Sequence, residues 1–174
     1  MVPPGALMKH FESQIIELLP RLRRYARSLS RNMSEAEDLV QDSLEAAVRG
    51  KQSWRGVNFK GWVMTIMTNV YRNGYRSELR PGMLVAIDDA NDVSTDTPVS
   101  DPLERDRLWA AINALPPDYR SVLMLVVVEG YKYADVADML DVPLGTVMSR
   151  LSRSRKLLTE RLRANNTIPL RSRP

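Results

Sequence analysis

The polarity pattern repeats at helical intervals in two stretches of the chain, separated by one with no sustained period. From Phe11 to Leu29 the apolar positions Ile15, Leu18, Leu22, Tyr25, Ala26 and Leu29 recur at threes and fours, as on one face of an amphipathic helix. Arg21, Arg23, Arg24, Arg27 and Arg31 take the other face, and Pro20 predicts a kink or break near Leu19. Residues 1–9 read as a disordered start without the charged head and apolar body of a signal peptide. Ser34 with Glu37 three positions later reads as a capping box opening a second helix. Its apolar stripe is Ala36, Leu39, Val40, Leu44, Ala47 and Val48, and Gly50 closes it. After a loop over 51–58, a third helix is expected from Phe59 to Arg76, with Trp62, Ile66, Val70 and Asn73 on one side, until Pro81-Gly82 stops it.

Residues 83–102 are rich in Asp, Ser, Thr and Pro and read as a flexible linker. Beyond it a helix is expected over Leu103–Ala114, then one opened by Pro116-Pro117 that runs apolar nearly all round to Glu129. Gly130 stops that helix, and a short one follows over Tyr133–Leu140. A tight connection, Asp141 to Gly145, leads into a long basic helix ending near Arg163, and residues 165–174 read as a disordered tail. No strand alternation and no repeat is visible. The fold class is all-α, in two small helical domains, 10–82 and 103–164, joined by the flexible linker.

Charge sharpens this division. The formal net charge is only +4, but Arg49, Lys51, Arg55, Lys60, Arg72, Arg76 and Arg80 face Glu78 alone across 49–80, a net of +6. Residues 143–163 carry Arg150, Arg153, Arg155, Lys156, Arg161 and Arg163 against Glu160, a net of +5. Five aspartates and no basic residue occupy 88–101 between them. Two basic blocks around an acidic spacer suggest two nucleic-acid-contacting modules.

Tyr133 to Lys156 has the plan of a helix-turn-helix: short helix, tight turn, basic helix. Val147 and Leu151 would face inward, and Thr146, Ser149, Arg150, Ser152 and Arg153 outward, where polar groups can reach base edges in a major groove. Arg155 and Lys156 suit phosphates. A solvated basic face is the competing reading. The block Trp54 to Arg76 sets Trp54, Phe59, Trp62, Tyr71 and Tyr75 among basic residues. Rings and arginines together suit unpaired bases, though the same rings can simply fill a core. The acidic run Glu35, Glu37, Asp38, Asp42, Glu45 reads by default as a solvated helix face, or else as a docking surface for a basic partner.

The case for an enzyme is poor. His10 is the only histidine, cysteine is absent, and no glycine-rich phosphate loop is visible. Without cysteine there is neither a disulfide framework nor a thiolate metal site, which is compatible with a reducing cytosol. Asp88, Asp89 and Asp92 do not have calcium-loop spacing. No cofactor, metal or membrane span is expected; the longest apolar stretch, Val122 to Val128, is too short.

Four strings nevertheless resemble motifs of the extracytoplasmic-function (group 4) sigma factors of the sigma-70 family. They are Glu37-Asp38-Leu39-Val40-Gln41-Asp42, Gly61-Trp62-Val63-Met64-Thr65-Ile66 with Asn69, Leu115-Pro116-Pro117-Asp118-Tyr119-Arg120, and Gly145-Thr146-Val147-Met148-Ser149-Arg150-Leu151. They stand in the family's order and spacing. The resemblance, over residues 11–163, implies a cytoplasmic, non-enzymatic subunit that directs core RNA polymerase to promoters in a stress or envelope response. It implies that Asp38, Gln41, Asp42 and Glu45 bind the clamp helices of the largest polymerase subunit. It further implies that Gly50, Trp54, Trp62, Ile66 and Asn69 capture a flipped base of the −10 element, with Arg72, Asn73 and Arg76 on nearby backbone. On the same basis Thr146, Ser149, Arg150, Ser152, Arg153, Arg155 and Lys156 lie on the −35 recognition helix, the second domain packs on the polymerase flap, and an anti-sigma factor is an expected partner. The start Leu19 to Ala26 and the phrase around Met148 resemble proteobacterial members, among them the alphaproteobacterial general-stress group. Two departures stand out: Tyr75-Arg76-Ser77-Glu78 is sparse in basic residues for this family, and Trp54 stands where other aromatics are common. The alternatives are an autonomous helix-turn-helix regulator that binds duplex DNA, and a decoy that keeps the fold but binds only protein.

Overall fold

The computed structural model describes residues 4–78 and 102–164, with side chains described from 10 to 75 and from 102 to 164. The linker up to residue 101, the tail and the side chain of Arg76 therefore lie outside the described residues, while Pro102, read as the linker's last residue, opens α4. Helices α1 (Pro4–Leu29), α2 (Met33–Gly50) and α3 (Phe59–Glu78) form the first half, with a 3₁₀ turn at Lys51–Ser53. Helices α4 (Pro102–Asn113), α5 (Pro117–Leu123), α6 (Tyr133–Leu140) and α7 (Leu144–Ala164) form the second, and a π-helical turn, Met124–Val128, extends α5.

Helix α1 begins at Pro4, so residues 4–9 are helical where a disordered start was expected. It also runs through Pro20 without a break. Proline there leaves the Ile16 carbonyl without its helical donor, and Ile16 is on the wet side of the helix. On the dry side Leu18, Leu22, Tyr25, Ala26 and Leu29 are buried on both flanks of the proline, and that burial holds the helix together. The Tyr25 hydroxyl lies 2.9 Å from Thr68 Oγ1 in the core, and burial pushes its pKa up.

The capping box of α2 lies two residues earlier than expected. Asn32, not Ser34, is the N-cap: its Oδ1 accepts from the Glu35 N–H at 2.9 Å, and Glu35 reaches back to the Arg31 N–H at 2.9 Å. Val48 is exposed, and Ser43 takes its place in the buried stripe, its hydroxyl donating to the Leu39 carbonyl. The side of α3 picked out by helical spacing is not its core face. Phe59, Val63, Met64 and Met67 are buried, whereas Trp62, Ile66 and Val70 are only partly so and Asn73 is exposed.

In the second half, α6 and α7 pack through Val136, Ala137, Leu140, Val147 and Leu151, as a helix-turn-helix requires. The turn is closed by Asp141 in the left-handed region (φ 51°). The Val142 N–H donates to the Ala137 carbonyl at 3.0 Å and the Asp141 N–H to that of Asp138, the pattern of a helix end that favours glycine. Relieving the left-handed strain by Asp141→Gly should raise thermal stability by about 0.5–1 kcal/mol, which a melting curve would register as a few degrees.

The halves do not stand apart. Buried apolar side chains from both form one continuous cluster, with α3 packed on α5 and α6 and α1 against the π turn.

Candidate nucleic-acid and partner interfaces

The acidic face of α2 is open. Asp38, Gln41, Asp42 and Glu45 are all exposed, within two turns of one another. Glu45 accepts from Gln41 Nε2 at 3.3 Å and pairs with Arg49 at 3.7 Å. Beside this face α1 and α2 enclose a groove of about 660 Å³, apolar along Leu19, Val40, Leu44 and Val48 and edged by Arg23, Glu37 and Asp38. That explains the exposure of Val48. Arg23 and Arg49 pair with Glu37 and Glu45 on the rim, so the floor is apolar and the rim of mixed charge, a surface that can take an amphipathic element.

At the start of α3 the aromatic rings meet. Trp54 lies edge-on to Phe59 at 5.0 Å between centroids and tilted to Trp62 at 6.5 Å; Phe11 closes the set at 5.3 Å from Phe59. The loop folds round the Trp54 indole, whose Nε1–H donates to the Val57 carbonyl at 3.2 Å. Phe59 is core, so the ring cluster both fills the interior and carries Trp54 and Trp62 to the surface. From Trp62 an outward stripe continues through Ile66, Asn69 and Asn73 at helical spacing. A Cβ at Gly50 would make only ordinary contact with the Trp62 ring, at 3.7 Å, and that position has no left-handed backbone. The glycine that sterics demand is Gly61. A Cβ there would fall 2.3 Å from Nδ2 of Asn58, whose Oδ1 accepts from the Gly61 N–H and so fixes the start of α3.

On α7, Ser152 and Arg155 are exposed, and Thr146, Ser149, Arg153 and Lys156 are half-buried. The Ser149 hydroxyl donates to the Thr146 carbonyl at 3.1 Å, and Ser154, fully buried, ties α7 to α5 through the Tyr119 carbonyl at 3.1 Å.

Two nominated arginines lie elsewhere than on a free surface. Arg72 Nε donates to Asp118 Oδ1 at 2.6 Å and Arg150 Nη2 to Asp118 Oδ2 at 3.2 Å, in the seam between the halves. Two further groups cross that seam. Arg120, 2% exposed, donates to the Ser28 and Ser30 carbonyls at 2.9 and 3.0 Å, at the end of α1. Burial lowers its pKa and raises that of its neighbour Tyr71. Glu129, whose side chain is wholly buried, pairs with Arg21 at 2.5 Å and with Arg24 at 3.7 Å. Sequence reading reached Asp118 and Arg120 only as letters of a motif and missed Glu129. A lone acid ending a run of apolar residues was its only signal.

Residues 15–80 match the family model for sigma-70 region 2, and residues 105–158 that for sigma-70 region 4. The ECF RNA polymerase sigma factor EcfG of Rhodopseudomonas palustris is 35% identical over 159 residues, 88% of this chain and 85% of that one. SigE of Mycolicibacterium smegmatis, also an ECF sigma factor, is 32% identical over 90% of this chain and 63% of its own length. Among solved structures, the sigma factor RpoE of Bartonella quintana, in complex with the anti-sigma factor NepR, superposes with a TM-score of 0.66 at 32% identity, covering 91% of this chain and 99% of that one. CnrH, solved with the cytosolic domain of CnrY, shares the fold with a TM-score of 0.65 at 22% identity over 91% of each chain. The open acidic face of α2, the outward rings of α3 and the helix-turn-helix therefore belong to a member of the sigma-70 family, an extracytoplasmic-function RNA polymerase sigma factor.

Proposed function

We propose that this sigma factor divides its work between its halves, 10–82 and 103–164. In the first half Asp38, Gln41, Asp42 and Glu45 engage basic residues of the polymerase clamp helices. Trp54, Trp62, Ile66 and Asn69 hold a base flipped from the −10 element, with Gly50 beneath Trp62 and with Asn73 and Arg76 near the backbone. In the second half α7 reads the −35 duplex, Thr146, Ser149 and Ser152 towards base edges and Arg153, Arg155 and Lys156 towards phosphates, while the domain rests on the flap. Arg72 and Arg150 join these surfaces once Asp118 gives them up. The sigma subunit itself does no catalysis and works in the cytoplasm with the polymerase. The NepR and CnrY complexes of its structural neighbours support control by an anti-sigma factor, in a stress or envelope response.

The observation that carries this reading is the outward stripe Trp62, Ile66, Asn69 on a helix whose core face is separately filled by Val63, Met64 and Met67. Transcription in vitro with core polymerase, over fragmented genomic DNA with mapped starts, tests it. Asn69→Ala should cut open-complex formation about tenfold or more, the scale of a lost edge-recognition contact, while binding to core persists. If that variant transcribes normally from every promoter, the pocket assignment fails.

A further inference from the structure

Asp118 opens α5, in the second half of the chain. One of its carboxylate oxygens takes Arg72 of α3 and the other takes Arg150 of α7. Both guanidinium groups are largely withdrawn from water, Arg72 at 10% and Arg150 at 18% side-chain exposure. Arg72 belongs to the −10 half and Arg150 to the recognition helix, so a single carboxylate holds one candidate DNA ligand of each DNA-reading surface. A carboxylate offering two oxygens to arginines has the same hydrogen-bonding and charge character as a DNA phosphate.

We propose that Asp118 is an internal phosphate mimic: it latches the two halves together through Arg72 and withholds both Arg72 and Arg150 from DNA. This rests on the reading of α7 as a duplex-binding helix. While the latch is shut, neither arginine can neutralise a backbone phosphate. Opening frees Arg72, while Arg150, which shares a half with Asp118, must still exchange that carboxylate for a phosphate, so promoter phosphates and Asp118 compete for the same two cations. The closed chain then binds DNA poorly by itself. Whatever pulls the halves apart, core polymerase above all, frees Arg72 for the −10 backbone and leaves Asp118 to Arg150 alone.

The full-length chain carrying Asp118→Asn tests the proposal. Asparagine keeps the size of the side chain and removes the charge that holds both arginines. Because the chain contains no cysteine, labels at Gln52→Cys and Glu160→Cys, both exposed and outside the assigned surfaces, report the separation of the halves. The expected result is a longer or broader label distance, together with about tenfold tighter binding of a −35 duplex in the absence of polymerase, the scale of one lost charge pair in a partly dry site. Asp118→Glu should restore the parent's behaviour, which separates latching from damage to α5, and circular dichroism checks the helix content of both variants. Unchanged label distances in Asp118→Asn would overturn the latch, as would equal opening by Asp118→Glu. Wider distances without tighter DNA binding would keep the closure but overturn the phosphate-mimic role. In that event Arg150→Ala in the Asp118→Asn background locates the fault: if this second change leaves residual duplex binding intact, it is the reading of α7 that has failed.

Discussion

Reversing the charge at Asp42 is expected to abolish binding to core polymerase while leaving the fold as it is. Asp42 is exposed midway along α2, one turn from Asp38 and close to Glu45. Arginine is a good helix former, and a surface exchange away from caps and core changes stability by about 0.5 kcal/mol or less. The interface responds differently. Where a carboxylate has been meeting cations, an arginine sets like charges face to face, and such juxtapositions cost several kcal/mol. At 1.4 kcal/mol per decade, affinity should fall by about a hundredfold or more. Titrating labelled chain with core polymerase measures this, with Glu160→Arg on the exposed side of α7 as a control that should bind like the parent. An Asp42→Arg chain that binds core as tightly as the parent would remove α2 from the polymerase interface.

The elements legible in the sequence were those whose signals are local. Pro116-Pro117 opening α5, Gly130 at φ 71° after the π turn, and the inward pair Val147 and Leu151 all depend on residues within a turn or two of each other. Local chemistry also explains the misplaced cap. Asn32 and Ser34 are both good N-caps with a glutamate three residues on, and nothing in that local pattern says which of the two caps the helix. Helix α3 misled for a different reason. It packs on α2 through one face and on α5 and α6 through another, and it keeps a third for solvent. Periodicity reports that apolar residues share a side but not whether that side meets a core or a ligand. Trp62 and Ile66 are as hydrophobic as Val63 and Met67, so spacing alone did not say which of the two sets fills the core.

The seam could not be read at all. Arg72 and Asp118 lie 46 positions apart, Arg120 and Ser28 92, and Arg21 and Glu129 108. In the sequence Arg21 and Arg72 read as parts of basic surfaces and Arg120 as a letter of a motif, because nothing local marks the acid or carbonyl each one meets. Two modules on a loose tether were the natural expectation. Joining them instead are charged groups whose partners lie across the seam, Arg72 with Asp118, Glu129 with Arg21 and Arg120 with two carbonyls of the first half.

Arg120 makes that dependence measurable, and Arg120→Ala is expected to cost about 3–5 kcal/mol. Its guanidinium is among the largest fully buried groups in the protein and sits at the C-terminal end of α1, where helix carbonyls lack intrahelical donors and the macrodipole is negative. Hydrogen bonds from a charged donor contribute about 1.5–3 kcal/mol each, and truncation adds the cost of a cavity that the surrounding core cannot fully close. Burial disfavours the charged guanidinium, as the lowered pKa records, so the group is kept in place by those two carbonyls and by Tyr71 beside it. For a chain of this length the loss corresponds to a fall in melting temperature on the order of 10 °C. Arg120→Met separates the contributions. Methionine refills most of the volume but donates nothing, so the carbonyls of Ser28 and Ser30 stay unsatisfied and more than half of the loss should persist. Arg120→Lys, with a point charge in place of a planar fork, should fall between methionine and the parent. A melting temperature for Arg120→Ala within a degree or two of the parent's would mean that the end of α1 finds other donors and that Arg120 does not hold the halves together.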